Sequence, residues 1–139
     1  MSHHAIARLT AAALTLVLGA AAAQAEDPHK LTGEQVEGYL KGNTVYVDLV
    51  PGDPFGDGGL SPFYYGHDGR FAARLPTGEI AGTWALSDEA SYCINLTGPG
   101  KIFCTDVFKT GSAIEHHSVG LKRLMGPVAR IVPGNDADL

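Results

Sequence analysis

Residues 91–108 read SYCINLTGPGKIFCTDVF, and they hold both cysteines of the chain. Cys93 and Cys104 lie equidistant from the midpoint between Gly98 and Pro99. A two- or four-residue turn centred there gives one antiparallel register. In it Cys93 faces Cys104, Ile94 faces Phe103, Asn95 faces Ile102 and Tyr92 faces Thr105. Directly opposed residues lie about 4.5–5.5 Å apart at Cα, and a disulfide spans about 4.4–6.8 Å. The spacing therefore predicts a hairpin with a Cys93–Cys104 bridge. Side chains alternate across a strand. Tyr92, Ile94, Leu96, Phe103 and Val107 fall on one face. Ser91, Cys93, Asn95, Cys104 and Asp106 fall on the other, more polar face. With no C-x-x-C and no flanking base to activate a thiolate, the bridge reads as a staple for hairpin register and not as a redox centre.

The same period of two extends in both directions. TVYVDLV (44–50) sets Val45, Val47 and Leu49 against Thr44, Tyr46 and Asp48. RFAARL (70–75) and EIAGTWAL (79–86) alternate likewise, with Asp68-Gly69 and Pro76-Thr77-Gly78 as turn signals. SPFYYG, SAIEHH, LKRLM and VARIV complete a set of short strands. No long helix separates them, so parallel βαβ units are not expected. Before them, LTGEQVEGYLKGN predicts one short helix. Thr32 and Gln35 have capping-box spacing, and Leu31 and Val36 have that of a hydrophobic staple. Val36, Tyr39 and Leu40 form one apolar stripe. The fold class is mainly β: an antiparallel meander, either an open sheet or a small barrel, with one short N-terminal helix. The closing PGNDADL reads as a loose polar tail.

The first 25 residues have a different character. A weakly basic start leads into the apolar run from Leu9 to Ala23, and Ala23-Gln24-Ala25 is a small-x-small site. That layout predicts a signal peptide over residues 1–25, since a spanning helix needs about 20 apolar residues. Residues 26–139 then form a single β-rich domain, periplasmic or secreted, where an even cysteine count favours a disulfide. Loss of Arg8 takes the net charge from −5 to −6. Lysines and arginines are scattered along the sequence. Nucleic acid and anionic membrane surfaces are therefore not expected partners, nor is stable membrane insertion.

Candidate chemistry is sparse. His116 and His117 are adjacent, so on a strand they point to opposite faces and do not chelate one ion without help from His67 or His29. Asp48, Asp53 and Asp57 gather carboxylates near a glycine-rich loop, but not in the order of an EF-hand. No metal or other cofactor is expected. The loop carries Phe55 as a stranded, exposed aromatic, a reasonable recognition element. Phe63, Tyr64, Tyr65, Phe71 and Trp84 either line a ligand cavity or form the core. There is no G-x-S-x-G, H-E-x-x-H, P-loop or G-x-G-x-x-G, so the chain does not read as an enzyme.

The ordered set Gly42-Asn43-Thr44-Val45, Tyr64-Tyr65-Gly66-His67-Asp68-Gly69, Gly82-Thr83-Trp84, Cys93, Cys104 and Ile131-Val132-Pro133-Gly134-Asn135 resembles a group of small exported proteobacterial proteins with no established activity. The resemblance implies a helix with an antiparallel sheet and carries no catalytic residues. Gly82-Thr83-Trp84 is also similar to the G-x-W of lipocalin-like barrels, although there it lies near the first strand. The expectation is a non-catalytic exported binding or accessory protein, its partner another envelope protein or a small ligand. Phe55, Tyr64, Tyr65 and Trp84 are the candidate contacts. The alternative is a lipocalin-like barrel carrying a small ligand or a metal.

Overall fold

The computed structural model describes residues 27–139, so the signal-peptide reading of residues 1–25 lies outside the described residues. The elements are β1 (His29–Lys30), α1 (Gly33–Leu40), β2 (Asn43–Leu49), β3 (Gly59–Tyr65), β4 (Arg70–Leu75), β5 (Gly78–Leu86), β6 (Tyr92–Leu96), β7 (Ile102–Thr110), β8 (Ala113–Ser118) and β9 (Arg123–Pro133). Each strand from β2 to β9 pairs antiparallel with the next, and β9 returns to pair with β2. The meander is therefore a closed, eight-stranded up-and-down barrel. The extra strand β1 pairs with β7 at Phe108 and Lys109. Closure removes the sheet edges that an open meander would expose.

The hairpin at residues 91–108 has the register its spacing implied: Tyr92↔Thr105, Cys93↔Cys104, Ile94↔Phe103 and Asn95↔Ile102. Cys93 and Cys104 are joined, with Cα atoms 4.0 Å apart. Tyr92, Ile94 and Val107 are buried. Phe103, on the same face, stays 43 % exposed because it stands at the barrel mouth. The segments LKRLM and VARIV, read as two strands, are one strand, β9. Gly126-Pro127 does not break it. Pro127 pairs with Glu115 and Gly126 with His116, and the β8–β9 register shifts directly beside them, at Met125; next to a bulge a strand tolerates proline. A Cβ on Gly126 would sit 2.1 Å from the Asp48 carbonyl oxygen, so only glycine lets β9 approach β2 closely enough to close the ring.

The helix does more than dock on a sheet face. Its capping box forms, with Gln35 N–H donating to Thr32 Oγ1 and Thr32 N–H to Gln35 Oε1. Leu31 N–H then donates to the Val107 carbonyl, and Gly42 N–H to the Tyr65 carbonyl. The helix thus crosses one end of the barrel from β7 to β2 and buries Leu31, Val36 and Leu40 in the core. The closing residues, read as a loose tail, fold back on the same end. Thr44 Oγ1 donates to the Gly134 carbonyl and accepts from Asp136 N–H, while the Tyr46 hydroxyl donates to the Asp136 carboxylate. At the other end lie the β2–β3, β4–β5, β6–β7 and β8–β9 connections, and among the described residues no helix covers them.

Candidate functional site

Eight strands enclose an interior just wide enough to be filled by side chains or to hold one small ligand. This barrel divides its interior between the two. Toward the helix it is packed with rings. Tyr65 contacts Phe71, Trp84 and Tyr92 at centroid distances of 5.4, 5.7 and 5.3 Å. Tyr92 contacts His116 at 5.5 Å. Their polar atoms are satisfied internally, as buried groups must be. The Tyr65 hydroxyl donates to the Tyr92 hydroxyl at 3.0 Å, and the Tyr92 hydroxyl lies 2.8 Å from His116 Nδ1. Trp84 Nε1–H donates to the Gly66 carbonyl at 2.9 Å. Since Tyr65 donates to Tyr92, the Tyr92 proton is free to go to Nδ1, which sets His116 as a neutral acceptor. Burial pushes the Tyr65 phenol well above its ordinary range and Tyr92 up to about 12. Burial, helped by His117, holds His116 down at about 4.

Toward the uncovered end the interior is not filled. A chamber of about 220 Å³ lies there, lined chiefly by Phe55, Phe63, Ile80, Ile94, Leu96 and Met125. Phe103 and Leu121 stand at its mouth. Its few polar atoms come from Thr77, Thr105, Ser118 and the backbone, and no side chain of the lining titrates in water. Thr105 Oγ1 already donates to Met125 Sδ at 3.5 Å. The inward positions of β5 and β6 here are Ile80, Ile94 and Leu96, smaller than the rings deeper in the barrel. Void remains for that reason.

The β2–β3 loop forms one lip. Phe55 was expected to be a stranded, exposed aromatic. It is 5 % exposed and belongs to the core. The loop curls over the mouth through hydrogen bonds from Gly52 N–H to the Gly56 carbonyl and from Phe55 N–H to the Gly52 carbonyl. Gly58, at φ +71°, makes the return, and a Cβ there would come within 2.3 Å of the Leu49 carbonyl oxygen. Arg123 donates to the Asp53 carbonyl at 2.6 Å and lies over the Phe55 ring. Thr77 Oγ1 donates to the Pro54 carbonyl at 3.4 Å.

Of the four candidate contacts, only Phe55 lines the chamber. Tyr65 and Trp84 belong to the packed layer below it. Tyr64, between two inward residues of β3, points outside under Arg70, whose guanidinium carbon is 5.5 Å from the ring centroid. His116 faces inward and His117 outward, where His117 Nε2 meets Glu115 Oε2 at 3.1 Å. Asp48 is exposed on the outer face of β2, apart from Asp53 and Asp57 in the loop. Among the described residues no three His, Cys, Asp or Glu side chains gather as a metal site would require. The lining from Leu75, Ser118, Leu121 and Met125 was not singled out from sequence. The available signal was position: each lies at or near the strand end facing the long loop.

Comparison with protein-family models, curated proteins and solved structures gave no match. What the fold and site define is a class by geometry: a closed eight-stranded barrel, plugged by a helix at one end and hollow at the other.

Proposed function

We propose that this protein binds a small apolar molecule in the hollow end of its barrel, as an exported, non-catalytic binding protein. The observation that carries this reading is the apolar chamber of about 220 Å³ directly above a fully packed layer. An apolar cavity of about 150 Å³ stays dry and takes up benzene, whereas drug-sized sites begin near 300 Å³. The chamber suits a two-ring aromatic or a short alkyl chain. Its lining offers the hydroxyls of Thr77, Thr105 and Ser118 but no acid or base beside them to activate a nucleophile. The disulfide fits an oxidising compartment. Among the described residues no helix is long and apolar enough to cross a membrane. Sequence gave equal weight to an envelope-protein partner. The unfilled interior favours the small ligand.

The test is a titration of the mature chain with naphthalene, and separately with 1-octanol, followed by methyl NMR. Saturable shifts confined to Ile80, Ile94, Leu96 and Met125 support the proposal. Leu96→Trp fills the chamber and should abolish the shifts while leaving the melting temperature of the ligand-free protein within a few degrees. Absence of saturable binding up to the solubility limit of both compounds refutes it.

A further inference from the structure

The mouth has an asymmetric rim. Its β6–β7 and β8–β9 corners carry Ile102, 65 % exposed, Phe103, 43 %, Val119, 43 %, and Leu121, 49 %. Val119 N–H donates to the Cys104 carbonyl, which holds the two corners side by side. Isolated surface apolar residues are ordinary, but a contiguous group at one tip marks a contact surface. Two lysines flank this group, Lys101 before Ile102 and Lys122 after Leu121. Lys122 is held at φ +53°, a conformation that glycine or asparagine adopts more readily. Lys30 and Lys41 are in ion pairs, and among the described residues Lys101 and Lys122 are in none.

Glu34, Glu37, Asp68, Asp88 and Glu89 lie on the helix and turns of the plugged end, and Asp136 lies on the tail beside Tyr46. At the mouth, Asp48 is exposed near the end of β2, Asp53 and Asp57 lie in the β2–β3 loop, where Arg123 donates to the Asp53 carbonyl, and Glu79 is paired with Arg74. β7 alone has nine residues, a length of roughly 30 Å at about 3.3 Å per residue. Screening at physiological salt acts over about 8 Å, so the acidic end is not felt at the tip.

We infer that this corner docks the mouth onto an anionic lipid surface, with Ile102, Phe103, Val119 and Leu121 entering the headgroup region and Lys101 and Lys122 meeting the lipid phosphates. Apolar tips framed by cations are the pattern of interfacial attachment without spanning. Along the chain the lysines are scattered and give no hint of it, because the barrel alone brings residues 101 and 122 to one corner. That docking serves ligand exchange rests on the chamber reading. The docking itself does not.

Flotation of the ligand-free mature protein with vesicles is the test. Attachment is expected to vesicles of phosphatidylcholine with phosphatidylglycerol, to fall at high salt, and to be weak on phosphatidylcholine alone. Lys101→Gln and Lys122→Gln should each lower partitioning about fivefold. Ile102→Ser with Leu121→Ser should lower it at every salt concentration. Lys109→Gln, a lysine at the plugged end, should leave it unchanged. Failure of the wild type to float with anionic vesicles overturns the inference. So does equal flotation of the Lys101/Lys122 double variant, or lipid-free self-association that Ile102→Ser with Leu121→Ser abolishes, which would assign the corner to a second copy. The naphthalene titration contains no vesicles, so the two readings fail separately.

Discussion

Arg123 lies across the ring of Phe55, its guanidinium carbon 5.8 Å from the ring centroid, so the first residue of β9 holds down the lip formed between β2 and β3. One cation–π contact at a partly exposed site contributes about 0.5–1 kcal/mol, and the hydrogen bond to the Asp53 carbonyl about as much again. Arg123→Ala should lower stability by about 1–2 kcal/mol in urea unfolding. Its larger effect should be local, with hydrogen exchange of the amides at 52–58 speeding up more than that of the strands. Uniform acceleration throughout the barrel would show that the loop is not separately latched.

Phe55 itself is both core and lining. Truncating a buried phenylalanine costs about 3–5 kcal/mol, and this site at the rim should fall at the low end. Phe55→Ala should therefore remain folded, since domains have about 5–15 kcal/mol in hand. It should also enlarge the chamber. Three-ring aromatics should bind the variant more tightly than the wild type in the same NMR titration, while naphthalene binds more weakly. Unchanged ligand preference would show that the ring does not bound the site.

The Cys93–Cys104 bridge closes a sequence separation of 11 residues. Restricting the unfolded chain by a loop of this length contributes at most about 3 kcal/mol. The bridge sits outside the barrel wall, so its loss opens no cavity. Cys93→Ala with Cys104→Ala should lose up to that amount in urea unfolding and retain the native methyl spectrum. Loss of the folded spectrum would mean that register, and not only stability, depends on the bridge.

Much of this was legible in the sequence, for a reason visible at the same hairpin. Where one face is buried, period two fixes register, and Cys93 and Cys104 marked it symmetrically about Gly98-Pro99. The capping box was local and equally readable. Closure was not, because the β2–β9 pairing joins residues such as Asn43 and Pro133, far apart in the chain and without a turn between them. The site was missed for a related reason. Alternation says that Trp84 and Ile80 point inward, but not that one meets a filled layer and the other a void. Phe55 looked exposed because its loop is rich in glycine and aspartate. Arg123, whose contact with that loop is tertiary, reverses the reading.

The one fully buried histidine among the described residues is His116, 1 % exposed and hydrogen-bonded through Nδ1 to Tyr92. Burial, with a smaller contribution from His117, lowers its pKa from 6.5 to about 4. The unfolded chain therefore takes up a proton at higher pH than the folded one does. Stability is whole above pH 6.5, falls as pH drops from there to about 4, and levels off below that as far as this residue is concerned. A shift of this size corresponds to about 3 kcal/mol. His116→Gln keeps an acceptor for the Tyr92 hydroxyl and removes the titration. Urea unfolding between pH 7 and pH 4 should show the wild type losing stability more steeply than the variant, by up to about that amount. Carboxylates titrate in both proteins and cancel in the difference. Parallel pH curves would place the wild-type acid sensitivity elsewhere and would mean that His116 is reached by water.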